Sequence, residues 1–307
     1  MAEHPNALEV LLAERDQLKE YCARMEALLS NLGHPPGHFY SPIVDVSNVH
    51  AIAAVRDRLK APLPAGIAID AEGMASMMKR LAKHHRHFAF PRHREAGYRF
   101  HFDNPFFGCY DASILFTMLL EFRPRRIVEV GCGHSSRLLL DANDHFFDSG
   151  LDLTFIDPSL DSLKDLLDER SAPNSSLINS PVQDVGLDVF ERLEANDILF
   201  VDSGHVSKTG SDVNYIVFEV LPVLKPGVLV HIHDILYPFE YLEEWVLKDK
   251  RSWNEAYLLR AFLQYNTAFE IVYWNNFAWH HLREDLARLM PLCLENEGGS
   301  IWLKRVM

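Results

Sequence analysis

The stretch Ile127-Val128-Glu129-Val130-Gly131-Cys132-Gly133-His134-Ser135-Ser136 decides the fold. Apolar residues run into two glycines, and the glycines into the polar start of a helix. The expected order is strand, tight turn, helix, because glycine allows backbone geometry and close approaches that a Cβ forbids. A dinucleotide fingerprint would read G-x-G-x-x-G, but Ser136 stands where its third small residue belongs. Glu129 precedes Gly131 by two positions. An acid pointing into the turn suits a cationic ligand better than a pyrophosphate.

The flanking pattern alternates. Apolar-faced helices are expected over Ala112 to Phe122, Ser135 to Asn143, Leu160 to Glu169 and Val213 to Leu224. Short apolar strands are expected at Arg126 to Val130, Leu153 to Ile156, Ser176 to Asn179, Ile198 to Val201 and Val228 to Ile232. Such alternation means right-handed βαβ units and a parallel sheet covered on both faces. Helices near Glu240 to Val246 and Asn254 to Tyr265 follow, then strands at Phe269 to Trp274 and Ser300 to Arg305.

The second strand closes on Asp157, placed to accept hydrogen bonds from a ribose diol. With the glycine turn, this points to a nucleoside-containing cofactor at the carboxyl ends of the strands. Here the chain, over about residues 100 to 307, resembles the class I S-adenosylmethionine-dependent methyltransferases. Glu129, Gly131 and Gly133 match that family's E/D-x-G-x-G motif, and Asp157 its acid after strand two. Ser180-Pro181-Val182-Gln183-Asp184 falls where the family contacts the adenine edge. Lys225-Pro226-Gly227 resembles its L-x-P-G-G segment, with Val228 replacing the second glycine. The resemblance implies an α/β, Rossmann-like, doubly wound seven-stranded sheet with an N-terminal helical extension. The segment Tyr98 to Asp111, with Asn104, Phe106, Phe107 and Tyr110, is expected to fold over the cofactor. The residues expected at S-adenosylmethionine are Tyr110, Glu129, Gly131, Gly133, Ser135, Asp157, Gln183, Asp184 and Asp202.

A second constellation sits on strands four and five. Asp202 and His205 follow one strand end, and His233 and Asp234 the next. Adjacent parallel strands are about 4.8 Å apart, so Asp202, His233 and Asp234 can converge on one cation. His231 lies deeper in the sheet and reads as a core residue. The D-x-x-H followed by this pair resembles the metal-dependent branch that includes cephalosporin-hydroxylase-like proteins and macrolide-sugar O-methyltransferases. That resemblance implies His205 as general base beside Asp202, although His205 as a further ligand stays open. His233 stands where an acid is usual, and a mixed carboxylate and imidazole set admits Mn, Fe, Ni or Zn as well as Mg. The opposing reading is that Asp202 and Asp234 cap loops and hold no metal. The acceptor would be a small molecule, methylated at oxygen or nitrogen, with Tyr237, Trp274 and Trp279 as candidate pocket walls. A cofactor-binding regulatory or scaffold protein is the non-enzymatic rival. A nicotinamide oxidoreductase is the other, disfavoured by Glu129 and the missing third glycine.

Three segments are expected: an oligomerising helix in 1–37, a helical prelude in 38–100, and the methyltransferase domain in 101–307. In the first, Leu8, Leu11, Leu18, Cys22, Met25, Leu29 and Leu32 fall on alternating three- and four-residue steps, broken only by Arg15. This is an a/d seam for a homo-oligomer, or the inner face of a helix docked on its own domain. In the prelude, Val49 to Leu59 and Ala71 to Lys83 are amphipathic, and His84, His85 and His87 read as a helix C-terminus. Of 307 residues, 48% are hydrophobic and 24% charged, which is ordinary for a globular chain. Against 30 Lys and Arg stand 43 Asp and Glu, a net charge of −13 that disfavours nucleic acid. No long uncharged apolar run or signal peptide is evident, and the cysteines are scattered. A cytoplasmic protein off the membrane is expected.

Overall fold

The computed structural model describes residues 7–30, 32–164 and 174–307. The chain divides into two compact units, one running up to Arg56 and adding Glu243–Ser252, the other formed by Asp57–Leu242 and Trp253–Met307. The first unit holds α1 (Ala7–Ser30), α2 (Val49–Arg56) and a π-helical turn at Glu244–Lys248. That turn replaces the helix expected over Glu240 to Val246. Arg56 Nε donates to Glu243 Oε1 at 2.7 Å, and the Val44 N–H to Ser252 Oγ at 3.2 Å.

The second unit is built on one seven-stranded sheet. Its strands are β1 (Arg126–Val130), β2 (Asp152–Ile156), β3 (Ser175–Ile178), β4 (Ile198–Val201), β5 (Leu229–Ile232), β6 (Phe269–Trp274) and β7 (Ile301–Arg305). Their order is β3-β2-β1-β4-β5-β7-β6. β1 to β5 run parallel, and β7 lies antiparallel between β5 and β6. The strand order reverses between β1 and β4, which opens a crevice at their carboxyl ends.

Helices cover the sheet: α3 (Ala71–His85), α4 (Cys109–Phe122), α5 (His134–Phe146), α6 (Asp161–Lys164), α7 (Asp188–Glu191), α8 (Asp212–Tyr215), α9 (Leu221–Val223), α10 (Glu255–Leu263), α11 (Asn275–His281) and α12 (Arg283–Leu289). The expected helix over Leu160 to Glu169 is described only as α6, and residues 165–169 lie outside the described residues. α4 buries Ile114, Leu115, Phe116, Met118 and Leu119 completely. Each such side chain removed from water contributes about 1.5–3 kcal/mol. They share one core with Leu138 and Leu139 of α5, Phe155 of β2 and Phe200 of β4.

The expected helix over Val213 to Leu224 is interrupted. It runs as α8, a π-helical stretch at Ile216–Val220, and α9. Pro222 supplies the reason: it lacks an N–H and its ring cannot tolerate the carbonyl four residues back. The histidine-rich end of α3 is tied by a hydrogen bond between His84 Nε2 and Glu121 Oε2 at 2.8 Å. No helix among the described residues is long and apolar enough to cross a membrane.

Candidate active site

The glycine turn is fixed by what surrounds it. Gly131 has φ +85° and donates its N–H to Ile156 O at 3.0 Å. A Cβ there would stand 1.8 Å from the carbonyl oxygen of Asp202. Both the dihedral and the close passage of the β4 end demand glycine. Gly133 is different: a Cβ on it would meet nothing within 4 Å. It faces a cavity of about 390 Å³ lined by Phe106, Phe107, Gly131, His134, Ser135, Arg137 and Asp202, among others. Asn104 shapes this wall, its Oδ1 accepting from the N–H groups of Phe106 and Phe107 at 3.1 and 2.7 Å.

A second cavity of about 360 Å³ continues past Gly131 and Cys132 to Asp157, Pro158, Val182 and Gln183. Asp202 lines both cavities. Asp157 is held rigidly, Oδ2 accepting from the Cys132 N–H at 3.0 Å and Oδ1 from the Ser159 N–H at 2.7 Å. Each carboxylate oxygen keeps a second lone pair for a ligand. Gln183 Nε2 donates to Gly210 O at 2.7 Å and borders the cleft.

Three expected cofactor residues are placed otherwise. Glu129 does not point into the turn but is fully buried beneath it. Its Oε1 accepts from the Ser135 hydroxyl at 2.5 Å, so Ser135 ties β1 to the start of α5. Burial pushes the carboxyl up to about 8 against the pull of that hydroxyl, and Oε2 is buried without a hydrogen-bond partner. Tyr110 turns into the core, its hydroxyl 3.0 Å from that of Tyr273, and lines neither cavity. Asp184 is exposed on the turn Val182–Asp184 and lines neither cavity. The aromatic candidates for the acceptor pocket also lie off both cavities. Tyr237 and Trp274 are buried 5.5 Å apart, ring to ring, and Trp279 lies under the Arg283 guanidinium at 4.0 Å.

The second constellation gathers at the ends of β4 and β5. His205 Nδ1 lies 2.9 Å from Glu255 Oε2, while its Nε2 faces Asp234 Oδ2 at 3.6 Å and Asp202 Oδ1 at 3.8 Å. Its backbone is left-handed, φ +40°, and its carbonyl accepts from the N–H groups of Asn254 and Glu255 at 3.1 and 3.2 Å. A non-glycine residue held so is kept there by its surroundings. Burial alone would lower the His205 pKa; the Glu255 hydrogen bond and the Glu255, Asp234 and Asp202 charges outweigh it and raise it.

Beneath lies a polar relay. Asp111 is buried and accepts from the Ser300 hydroxyl at 2.6 Å and from the Ser300 and Gly299 N–H groups. Ser300 spends its one proton on Asp111, so its lone pairs face His231 Nε2 at 2.9 Å and His233 Nδ1 at 3.4 Å. His231 stacks on Phe200 with centroids 3.8 Å apart, and burial holds its pKa well below the usual value. Burial would lower His233 too, but the charges of Asp202, Asp234, Asp111 and Glu255 lift it to about 9.

Asp202, His233 and Asp234, the residues expected around a cation, all lie at the ends of β4 and β5. Among the described residues, no group of three His, Cys, Asp or Glu side chains is disposed to hold a metal ion. Asp202 and Asp234 face imidazoles, His205 Nε2 for both and His233 Nε2 lying 3.6 Å from Asp234 Oδ1. Glu255, Asp111 and Ser300 were beyond sequence reasoning. Their partners lie far away in the chain, and no local spacing links them.

A family model described as a methyltransferase domain matches residues 128–235. An uncharacterized protein of Archaeoglobus fulgidus is 33% identical over 169 residues, 53% of this chain and 75% of that protein. Among solved structures, CmcI with Mg and SAM is similar at a TM-score of 0.40 and 19% identity, over 70% of this chain and 82% of that one. SAH-bound PaMTH1, a methyltransferase of Podospora anserina, is similar at a TM-score of 0.41 and 13% identity, over 79% of this chain and 91% of that one. The glycine turn, Asp157 and the ends of β4 and β5 thus lie within a methyltransferase domain, on a Rossmann-like seven-stranded sheet.

Proposed function

We propose that the protein moves a methyl group from S-adenosylmethionine to an oxygen of a small-molecule acceptor, with His205 as the base. The observation that carries this is the His205–Glu255 pair, whose free imidazole nitrogen faces the acids at the cleft. The cofactor fits the residues present. Gly133 borders open space, and Asp157, beside the second cavity, has lone pairs for a ribose diol. When bound, S-adenosylmethionine would supply a methyl already activated on a sulfonium, with the neutral thioether as leaving group.

The protein's part is positioning and proton removal. Glu255 accepts the Nδ1 hydrogen of His205, which leaves the Nε2 lone pair on the cleft side. The acceptor's hydroxyl proton goes to Nε2, and the imidazolium so formed is stabilised by Glu255, Asp202 and Asp234.

Asp157→Ala should weaken S-adenosylmethionine binding by roughly 1–3 kcal/mol in calorimetry, the range for unpaired polar groups. Unchanged affinity would place the ribose elsewhere. The base assignment has its own signature. His205 must be neutral to act, and its pKa is raised, so kcat/KM should climb with pH through an inflection above 6.5. Glu255→Gln removes a negative charge that favours the protonated ring, so the inflection should move to lower pH and the plateau rate should drop. Transfer of labelled methyl into an acceptor library supplies the assay. A profile that Glu255→Gln leaves in place would remove His205 from the proton path.

A further inference from the structure

We propose that α1 pairs with α1 of a second copy as a parallel, in-register, two-stranded coiled coil that sets Cys22 opposite the partner's Cys22. The helix is 24 residues long, or about 36 Å at 1.5 Å per residue. Leu11, Leu18 and Leu29 are 61%, 63% and 62% exposed, and Cys22 is an exposed free thiol. Leu11, Leu18 and Cys22 line one shallow groove flanked by Glu14, Lys19 and Glu26. Heptad spacing puts Arg15, Cys22 and Leu29 at a, Leu11, Leu18 and Met25 at d, Glu14 at g and Lys19 at e.

The charges choose the occupant and its direction. In a parallel pair, each g residue meets the e residue five positions on in the other chain. Glu14 then faces the partner's Lys19, and symmetry repeats the ion pair on the other side. In an antiparallel pair over the same seam, e faces e and g faces g. Lys19 would meet the partner's Lys19, and Glu14 would meet no cation. Arg15 at an a layer costs stability, yet it favours two strands, because only there can its long stem carry the guanidinium out to water. Parallel register repeats every a layer against itself, so the two Cys22 thiols meet across the axis.

Full-length protein should scatter light as a dimer, and Leu18→Lys should halve that mass while binding S-adenosylmethionine as wild type does. With copper–phenanthroline and oxygen taking two electrons and two protons from a thiol pair, non-reducing gels should show a doubled chain. That band should vanish in Cys22→Ser and persist in Cys132→Ser. A wild-type monomer or trimer, a Leu18→Lys dimer, or a dimer whose cross-link survives Cys22→Ser would each overturn the proposal. The inference stands apart from the methyl-transfer reading, because it rests on α1 alone.

Discussion

Gly131→Ala should abolish measurable S-adenosylmethionine binding and destabilise the fold by more than about 2 kcal/mol. Two costs add at this position. An L-residue at φ +85° is strained, and the new Cβ would lie 1.8 Å from the Asp202 carbonyl oxygen and 2.5 Å from its carbon. No rotamer relieves a clash between backbone atoms. Either the end of β1 or the end of β4 must shift, and both line the cleft. Gly133→Ala is the matched control. Its Cβ enters open space, so denaturant midpoints should stay near wild type while cofactor affinity falls. If Gly131→Ala keeps both stability and affinity, the turn is softer than its geometry implies.

His205→Ala should lower kcat by about 10²- to 10⁴-fold, the usual range for a positioned acid or base. S-adenosylmethionine affinity should hardly change, because His205 lines neither cavity. Glu255, left buried without its partner, should cost some stability, so denaturation must be followed as well. His205→Asn is the gentler companion, since asparagine tolerates the left-handed backbone at φ +40°. Both variants should lose the rising limb of the pH profile. Wild-type turnover in a folded His205→Asn protein would end the assignment.

The sheet was largely legible because β1, β2, β4 and β5 are covered on both faces and so read as short, mostly apolar runs. β3, at the edge and only partly buried, was expected one residue late. Pro222 was plain in the sequence, but its consequence for the helix around it depends on packing that no local pattern encodes. The site was legible where motifs are contiguous, as at Gly131, Gly133 and Asp157. It was not where one side chain answers another across the chain. Glu129 was expected to face a ligand, yet Ser135 takes one oxygen and the core seals it. Tyr110 sits on a helix whose every early position is buried, so an aromatic there belongs to the core. At the second constellation Asp202 faces His205 and Asp234 faces both His205 and His233, pairings that spacing along strands cannot foretell.

The contact between Gly131 and the Asp202 carbonyl bears on how the chain is made. The glycine turn leaves the ribosome well before β4, and until β4 docks beside β1 the turn has no wall to press against. A nascent chain stopped short of Asp202 therefore carries the motif without the cleft. The cofactor meets its complete cleft only after β4 has docked, because Asp202 lines both cavities. It can only reward the finished sheet, adding stability by mass action once both halves have closed.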